Sequence, residues 1–135
     1  MSADPPATGA CASAVNLASV LGSFQEQWAP RIVARLNDTE FKLAKLEGEF
    51  VCHAHADTDE AFLVLQGSLI IRLEDREVKL HPGELFVVPR GVRHQPVANH
   101  ECHVLLIEAA ETLNTGDAET KAYSSQGVWV QATKS

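Results

Sequence analysis

The chain has 135 residues, with 18 acidic against 11 basic side chains, and a formal net charge of −7 at pH 7. This length suits one domain with a proper hydrophobic core. The basic residues form no cluster, which argues against a nucleic-acid or anionic-membrane surface, because both need concentrated positive charge. A small polar or anionic ligand held by a metal remains open.

Targeting signals and disulfides are not predicted. No apolar run approaches the roughly 20 residues that span a bilayer, and no basic residue precedes Arg31, as the start of a secretory signal would require. The three cysteines, Cys11, Cys52 and Cys102, stand alone. They predict reduced structural thiols rather than a disulfide framework or a zinc–thiolate site. These features together predict a cytoplasmic protein.

The N-terminal part predicts a tail and one short helix. Residues 1–14 are small and polar and are expected to be disordered. Asn16 can cap a helix that runs to about Trp28, and Pro30 ends that segment. The apolar residues that follow the 3.6-residue period are Leu17, Val20, Leu21, Phe24 and Trp28.

From Arg31 onward the chain reads as short strands separated by turn residues, which predicts an all-β sandwich or small barrel. Gly48 and Asn99-His100 are among the predicted breaks, and Asn114–Asp117 is a predicted turn. Residues 118–135 form a C-terminal extension, in which Gly127–Gln131 is interpreted as a last strand or a docked tail. The predicted strands are Arg31–Leu36, Phe41–Leu46, Ala61–Gln66, Ser68–Leu73, Glu77–Leu80, Leu85–Val88 and Cys102–Glu108.

Two segments carry three histidines and one glutamate that suit a divalent metal. His53 and His55 are two residues apart, so a strand would place both imidazoles on one face. Glu60 follows a polar loop that can return its carboxylate toward them, and a turn shaped by Pro89 and Gly91 delivers His94. Three imidazoles and one carboxylate leave one or two positions free on a five- or six-coordinate ion, as a catalytic metal site requires.

These segments resemble the two motifs of the cupin superfamily. The first reads Gly48-x4-His53-x-His55-x4-Glu60-x6-Gly67, and the second reads Gly83-x5-Pro89-x-Gly91-x2-His94. One residue is missing between Gly48 and His53, and the final asparagine is displaced by one, to Asn99. Neither change touches a ligand position. The resemblance therefore assigns the family's four metal ligands to His53, His55, Glu60 and His94.

The stretch from about Val15 to Asp117 resembles small single-domain cupins of the conserved-barrel cupin 2 type. They are often labelled mannose-6-phosphate-isomerase-like, a label that describes fold rather than activity. The resemblance implies a double-stranded β-helix, that is, a jelly-roll barrel, as a single domain over residues 15–117. It also implies a metal at the open end of the barrel and a homodimer.

The remaining candidates have plainer interpretations. His81 and His100 fall in turns and are expected at the surface, and Asp57 and Asp59 are expected to shape their loop. His103 is interpreted as an ordinary strand histidine, unless its face looks into the barrel and makes it a proton carrier. The aromatic residues interpreted as core, some of which could also line a ligand pocket, are Trp28, Phe50, Phe62 and Phe86.

Two classes of function fit these expectations. The first is a metalloenzyme acting on a small molecule, either a dioxygenase or an isomerase, epimerase or lyase that uses the metal as a Lewis acid. The second is a non-catalytic module that binds or senses a small ligand through the metal. The four ligand types suit Fe, Mn, Ni, Cu or Zn, so the sequence leaves the metal open.

Overall fold

The computed structural model describes residues 13–119 and 122–130. The predicted disordered tail and Cys11 lie almost wholly outside this part of the chain. Within it, no helix is both long enough and apolar enough to cross a lipid bilayer. Cys52 is an exposed free thiol and Cys102 a buried one, as predicted, and burial raises the pKa of Cys102 to about 11, which keeps that thiol unreactive.

The helix α1 spans Leu17–Leu21, and the prediction that it continues to Trp28 is wrong. Its start is as expected, because the Asn16 side chain accepts a hydrogen bond of 2.9 Å from the amide of Ser19. Gly22 caps its C-terminal end. Beyond it the chain pairs with the barrel instead, and the amide of Trp28 donates to the carbonyl of Lys45 at 2.9 Å.

In the described part of the chain, eight strands form an all-β jelly-roll barrel, as predicted. The strands are β1 Arg31–Leu36, β2 Thr39–Glu49, β3 Glu60–Gln66, β4 Leu69–Arg72, β5 Glu77–Leu80, β6 Leu85–Val88, β7 Gln95–Ala109 and β8 Val128–Trp129. Strand β7 pairs with β2, β3 and β4, and β3 also pairs with β6. The short β8 runs parallel to β1, which places part of the C-terminal extension against the barrel.

Strand β7 is continuous across Asn99-His100, so the break predicted there is wrong. The pairing of β7 with β2 explains how the polar residues Asn99 and His100 fit within a continuous strand. Cys102 pairs with Leu46 and Ala98 pairs with Gly48, so three residues of β7 lie opposite one residue of β2. The extra residues form an exposed irregularity of the kind that bends a strand without ending it.

Alternating side chains divide the barrel into an interior and an outer face. The interior cluster includes Ala44, Phe62, Val64, Val104 and Leu106. An outer cluster packs α1 and Phe24 against the outward residues of β1, β2 and β7, namely Val33, Leu43 and Leu105. The N-terminal segment therefore covers one outer face, and the interior is left to enclose the histidine motifs.

Candidate metal centre

The fold brings the four motif residues together at one point inside the barrel. His53 and His94 lie opposite each other in an antiparallel bridge, in which each amide donates to the other's carbonyl at 3.0 and 2.8 Å. Glu60 is the first residue of β3. The carbonyl of His55 accepts from the amide of Gly91 at 2.7 Å. Backbone hydrogen bonds thus join the two motifs directly.

One potential ligand atom from each of these four residues lies within 4.8 Å of all the others. All four residues are buried, with exposures of 1–6%. Both His55 Nε2 and His94 Nε2 lie 3.2 Å from the same oxygen of Glu60, Oε1. Two ligands on opposite sides of a transition metal are about 4.2 Å apart, so this set of atoms needs only a small contraction to enclose one.

Hydrogen bonds to the backbone orient two of the rings. Nδ1 of His53 donates to the carbonyl of Val51 at 2.9 Å, and Nδ1 of His94 donates to the carbonyl of Val92 at 3.0 Å. With the proton on Nδ1, each ring keeps a lone pair on Nε2, the form in which histidine binds a metal. The local fold therefore selects the ligating tautomer.

The protonation states also suit a cation. Burial, with the nearby His94, lowers the pKa of His53 from 6.5 to about 4, so this imidazole is neutral at pH 7. Burial opposes ionisation of Glu60, but contacts with His55 and His94 outweigh it and hold the pKa of the carboxyl below its ordinary value. At neutral pH the cluster therefore contains a neutral His53 ring and an ionised Glu60 carboxylate.

A buried nitrogen without a hydrogen-bond partner supports the fit to a metal. His55 Nε2 lies 3.2 Å from Glu60 Oε1 without hydrogen-bonding alignment, and no other group among the described residues bonds it. A polar atom left this way inside a protein costs free energy unless a bound species uses it. Nitrogen and carboxylate donors of this kind suit Fe, Mn, Ni, Cu or Zn.

A chain of buried charges lies behind Glu60, and the sequence reasoning missed it. Glu108 on β7 pairs with Glu60 across the sheet, and burial and that neighbour raise the pKa of Glu108 well above its ordinary value. Lys42 on β2 donates to Glu108 Oε2 at 2.9 Å and lies 3.9 Å from Glu40 Oε1. Arg35 completes the chain with a bond of 2.6 Å to Glu40.

The predicted turn at Asn114–Asp117 holds the segment between the first two histidines. Oδ1 of Asp117 accepts from the amide of Ala54 at 2.8 Å, while the amide of Asp117 donates to the carbonyl of Ala54 at 3.1 Å. Gly116 approaches so closely that an added Cβ would lie 2.9 Å from Cδ2 of His53. Residues after the last long strand thus fix the ligand segment.

A small chamber of about 20 Å³ adjoins the cluster inside the barrel. That volume admits about one water molecule. His53 and Glu60 form its polar wall, and Trp28, Phe50 and Phe62 contribute to its apolar walls. The expectation that some core aromatic residues also line a pocket is confirmed for these three.

A larger cavity of about 390 Å³ lies on the other side of His55. It is bounded by the loop that contains Asp57 and by the segment 109–113, together with Asp117. Asp59 of the same loop accepts from the amide of Arg90 at 2.8 Å, which is the loop-shaping role predicted for it. This cavity touches the cluster only through His55.

The other candidate histidines lie away from the cluster. His103 lies on the outer face of β7, which Leu105 and Ile107 share, and its Nε2 contacts Glu101 at 2.9 Å. It is therefore the ordinary strand histidine of the plainer interpretation. His81 is exposed and pairs with Glu84 at 3.0 Å. His100 is exposed as expected, although within β7 rather than in a turn.

Comparison with known proteins gives one family match. The family model described as the cupin domain matches residues 39–108, which include both histidine motifs. Trp28, Gly116 and Asp117 fall outside the matched residues, so the turn that holds Ala54 is additional to the matched domain.

Individual relatives agree with the family match. A cupin-2 domain containing protein from Shewanella frigidimarina is 46% identical over 70% of this chain and 93% of its own, with a TM-score of 0.70. Protein NMB1881 from Neisseria meningitidis is 30% identical over 73% of this chain and 100% of its own, with a TM-score of 0.67. The uncharacterized protein YdbB of Bacillus subtilis is 33% identical over 81 residues, or 59% of this chain and 72% of that protein. None of these names states an activity.

Proposed function

Because this chain belongs to the cupin family, and because its buried histidine–glutamate cluster could bind a metal, we propose that it is a metalloenzyme acting on a small molecule. The observation that carries the proposal is the cluster itself, in which four buried ligand atoms lie within 4.8 Å of one another. His53, His55, Glu60 and His94 would hold a divalent transition metal. The ion would supply Lewis acidity and open coordination positions for substrate or dioxygen.

The surrounding residues set the protonation state and the orientation of these ligands. The carbonyls of Val51 and Val92 keep the protons of His53 and His94 on Nδ1. Burial keeps His53 neutral at the pH at which a metal would bind, so a proton does not compete for the ring. A hydrogen bond from Glu108 supports the Glu60 carboxylate, and Lys42 in turn bonds Glu108.

Of the two reaction classes, the dioxygenase type has the better support. Isomerases, epimerases and lyases need a general base beside the metal. Among the described residues that line the inner chamber, the ionisable groups are His53 and Glu60, and both are assigned to the metal. The carboxylates of Asp57, Glu111 and Asp117 line the outer cavity, which meets the cluster at His55 and not at this chamber. The small, largely apolar chamber suits dioxygen, which would place both its oxygen atoms in a substrate that supplies the electrons.

Elemental analysis tests the metal site. The protein is purified without a chelator and without a polyhistidine tag, and compared with His53→Ala/His55→Ala. We expect near-stoichiometric Fe or Mn in the parent and none in the variant. The matched control is His81→Ala/His100→Ala, which removes two exposed histidines and should keep the metal. A parent that takes up no metal even on reconstitution would contradict the proposal.

The alternative function is a module that binds a ligand through the metal without turnover. Such a module would form no product, whereas the proposed enzyme would. Oxygen uptake and product detection over a panel of small oxidisable acids, thiols and sugars separate the two. Uptake that disappears in His94→Ala supports the enzyme. Metal-dependent ligand binding without uptake or isomerisation in any assay supports the binding module instead.

A further inference from the structure

Trp28 forms part of the wall of the inner chamber, which His53 and Glu60 of the metal cluster also line. It lies in the segment before β1, outside residues 39–108 of the cupin match, and only 8% of it is exposed. Its ring stacks on Phe50 with centroids 4.5 Å apart and an angle of 12°. Phe50 in turn contacts the ring of His53 edge-on at 5.7 Å. One aromatic stack therefore reaches from the N-terminal segment to a proposed ligand.

The backbone of Trp28 is held in an uncommon conformation. Its φ of 57° is in the left-handed region, which a bulky residue rarely adopts. Three hydrogen bonds fix it: its amide donates to Lys45 at 2.9 Å, its indole nitrogen donates to the Glu47 carbonyl at 3.0 Å, and its carbonyl accepts from Asn114 Nδ2 at 3.2 Å. Such a conformation persists only where several contacts impose it, and it occurs often at functional sites.

The position of the indole limits what fits beside the cluster. With Trp28 in place the chamber has room for about one water molecule. His53 and Glu60 line the same chamber. A ligand larger than a few atoms that approaches through this chamber must therefore displace the indole.

We propose that Trp28 is the specificity-determining residue of this centre, and that it excludes from the inner chamber any ligand much larger than dioxygen or a small inorganic anion. This inference rests on the proposed function, because the ligand is defined by its binding to the metal. The small co-substrate of the proposed reaction then occupies the chamber.

Ligand binding to the cobalt-substituted protein tests the size limit, because visible absorption of Co(II) reports each new ligand. Azide is the small probe and 4-phenylimidazole the large one. We expect the parent to bind azide and to reject 4-phenylimidazole. Trp28→Ala should bind 4-phenylimidazole about tenfold more tightly or better, with its azide affinity nearly unchanged.

The other tryptophan provides the matched control. Trp129 lies on β8, away from the chamber lining, so Trp129→Ala should keep the ligand preference of the parent. Trp28→Phe fills part of the space and should give an intermediate affinity for the large probe; it also serves if the alanine variant does not fold. Equal affinity of parent and Trp28 variants for 4-phenylimidazole overturns the proposal.

A metal-free measurement separates this proposal from the metal assignment. Removing the indole should leave an enclosed apolar space, which a free aromatic molecule can refill. Indole should therefore raise the melting temperature of metal-free Trp28→Ala, and not that of Trp129→Ala. Failure to bind cobalt would contradict the proposed function alone, whereas absence of the indole effect would overturn the role of Trp28.

Discussion

Replacing Lys42 by methionine should expose the energetic cost of the buried charges behind Glu60. The Lys42 side chain is 1% exposed and its ammonium lies 2.9 Å from Glu108 and 3.9 Å from Glu40. Methionine fills similar space but leaves both carboxyl groups without this cation. Breaking a buried ion pair by removing one partner costs about 3–5 kcal/mol, so we expect the free energy of unfolding at pH 8 to fall by that amount.

The loss should be smaller in acid. Burial and Glu60 raise the pKa of Glu108, and removal of Lys42 raises it further. A protonated Glu108 needs no cation, so the Lys42→Met protein should be relatively more stable below the raised pKa and lose stability as the pH rises through it. The double variant Lys42→Met/Glu108→Gln should recover part of the loss at pH 8 and show a weaker pH dependence.

Equilibrium urea unfolding of the metal-free proteins at pH 5 and pH 8 measures these differences. A loss of about 4 kcal/mol should lower the midpoint by roughly 2 M urea. Lys45→Met is the control, since Lys45 is also buried but bonds the Phe24 carbonyl and lies 5.0 Å from the Phe24 ring centre. Among the described residues, no carboxylate bonds Lys45. It should cost about 1 kcal/mol. A Lys42→Met loss below about 1 kcal/mol, unchanged between the two pH values, would refute the reasoning.

Three further outcomes follow from the centre itself. The free energy of unfolding of the metal-free protein should fall by roughly 3 kcal/mol between about pH 6.5 and about pH 4, because the unfolded chain takes up the His53 proton first. In His53→Gln, urea unfolding should show a weaker dependence of this free energy on pH. The same pH dependence in parent and variant would contradict the prediction. His94→Ala should lose the metal but less than about 2 kcal/mol of stability, since apolar strands carry the barrel; full metal occupancy in that variant would remove His94 from the ligand set. Gly116→Ala places a methyl group 2.9 Å from His53 at a residue whose φ is 52°, so it should lower the free energy of unfolding by about 2 kcal/mol and weaken metal binding. Calorimetric titration with Co(II) measures the change in metal affinity, and an unchanged affinity would contradict the prediction.

Much of the fold could be predicted because the alternation of apolar residues and the positions of turn residues indicate the same strand boundaries. The bounds of β1, β5 and β6 match the predicted strands residue for residue. The four motif residues that meet in the barrel follow from their spacing together with the resemblance to the cupin motifs, whose glycines and proline define the turns between them.

The errors arise where tertiary contacts override a local pattern. The helical period from Leu17 to Trp28 is genuine, but pairing of the Trp28 amide with Lys45 takes the chain out of the helix. Lys42 and Glu108 look in sequence like the solvent face of two strands. They are buried because the barrel closes around them and because they form an ion pair with each other. Neither condition can be seen in the sequence of a single strand.

The pairing of β7 has a consequence for the order in which the chain folds. Without Gln95–Ala109, the long strands form only local pairs: β1 with β2, β4 with β5, and β3 with β6. Glu60 belongs to one of these pairs, while His94 comes immediately before β7. We expect the centre to be completed in the step that docks β7 and closes the barrel, and that step depends on contacts between residues far apart in the chain. Folding limited by such contacts takes about milliseconds to seconds, so a metal ion added early should leave the folding rate unchanged and slow only the unfolding.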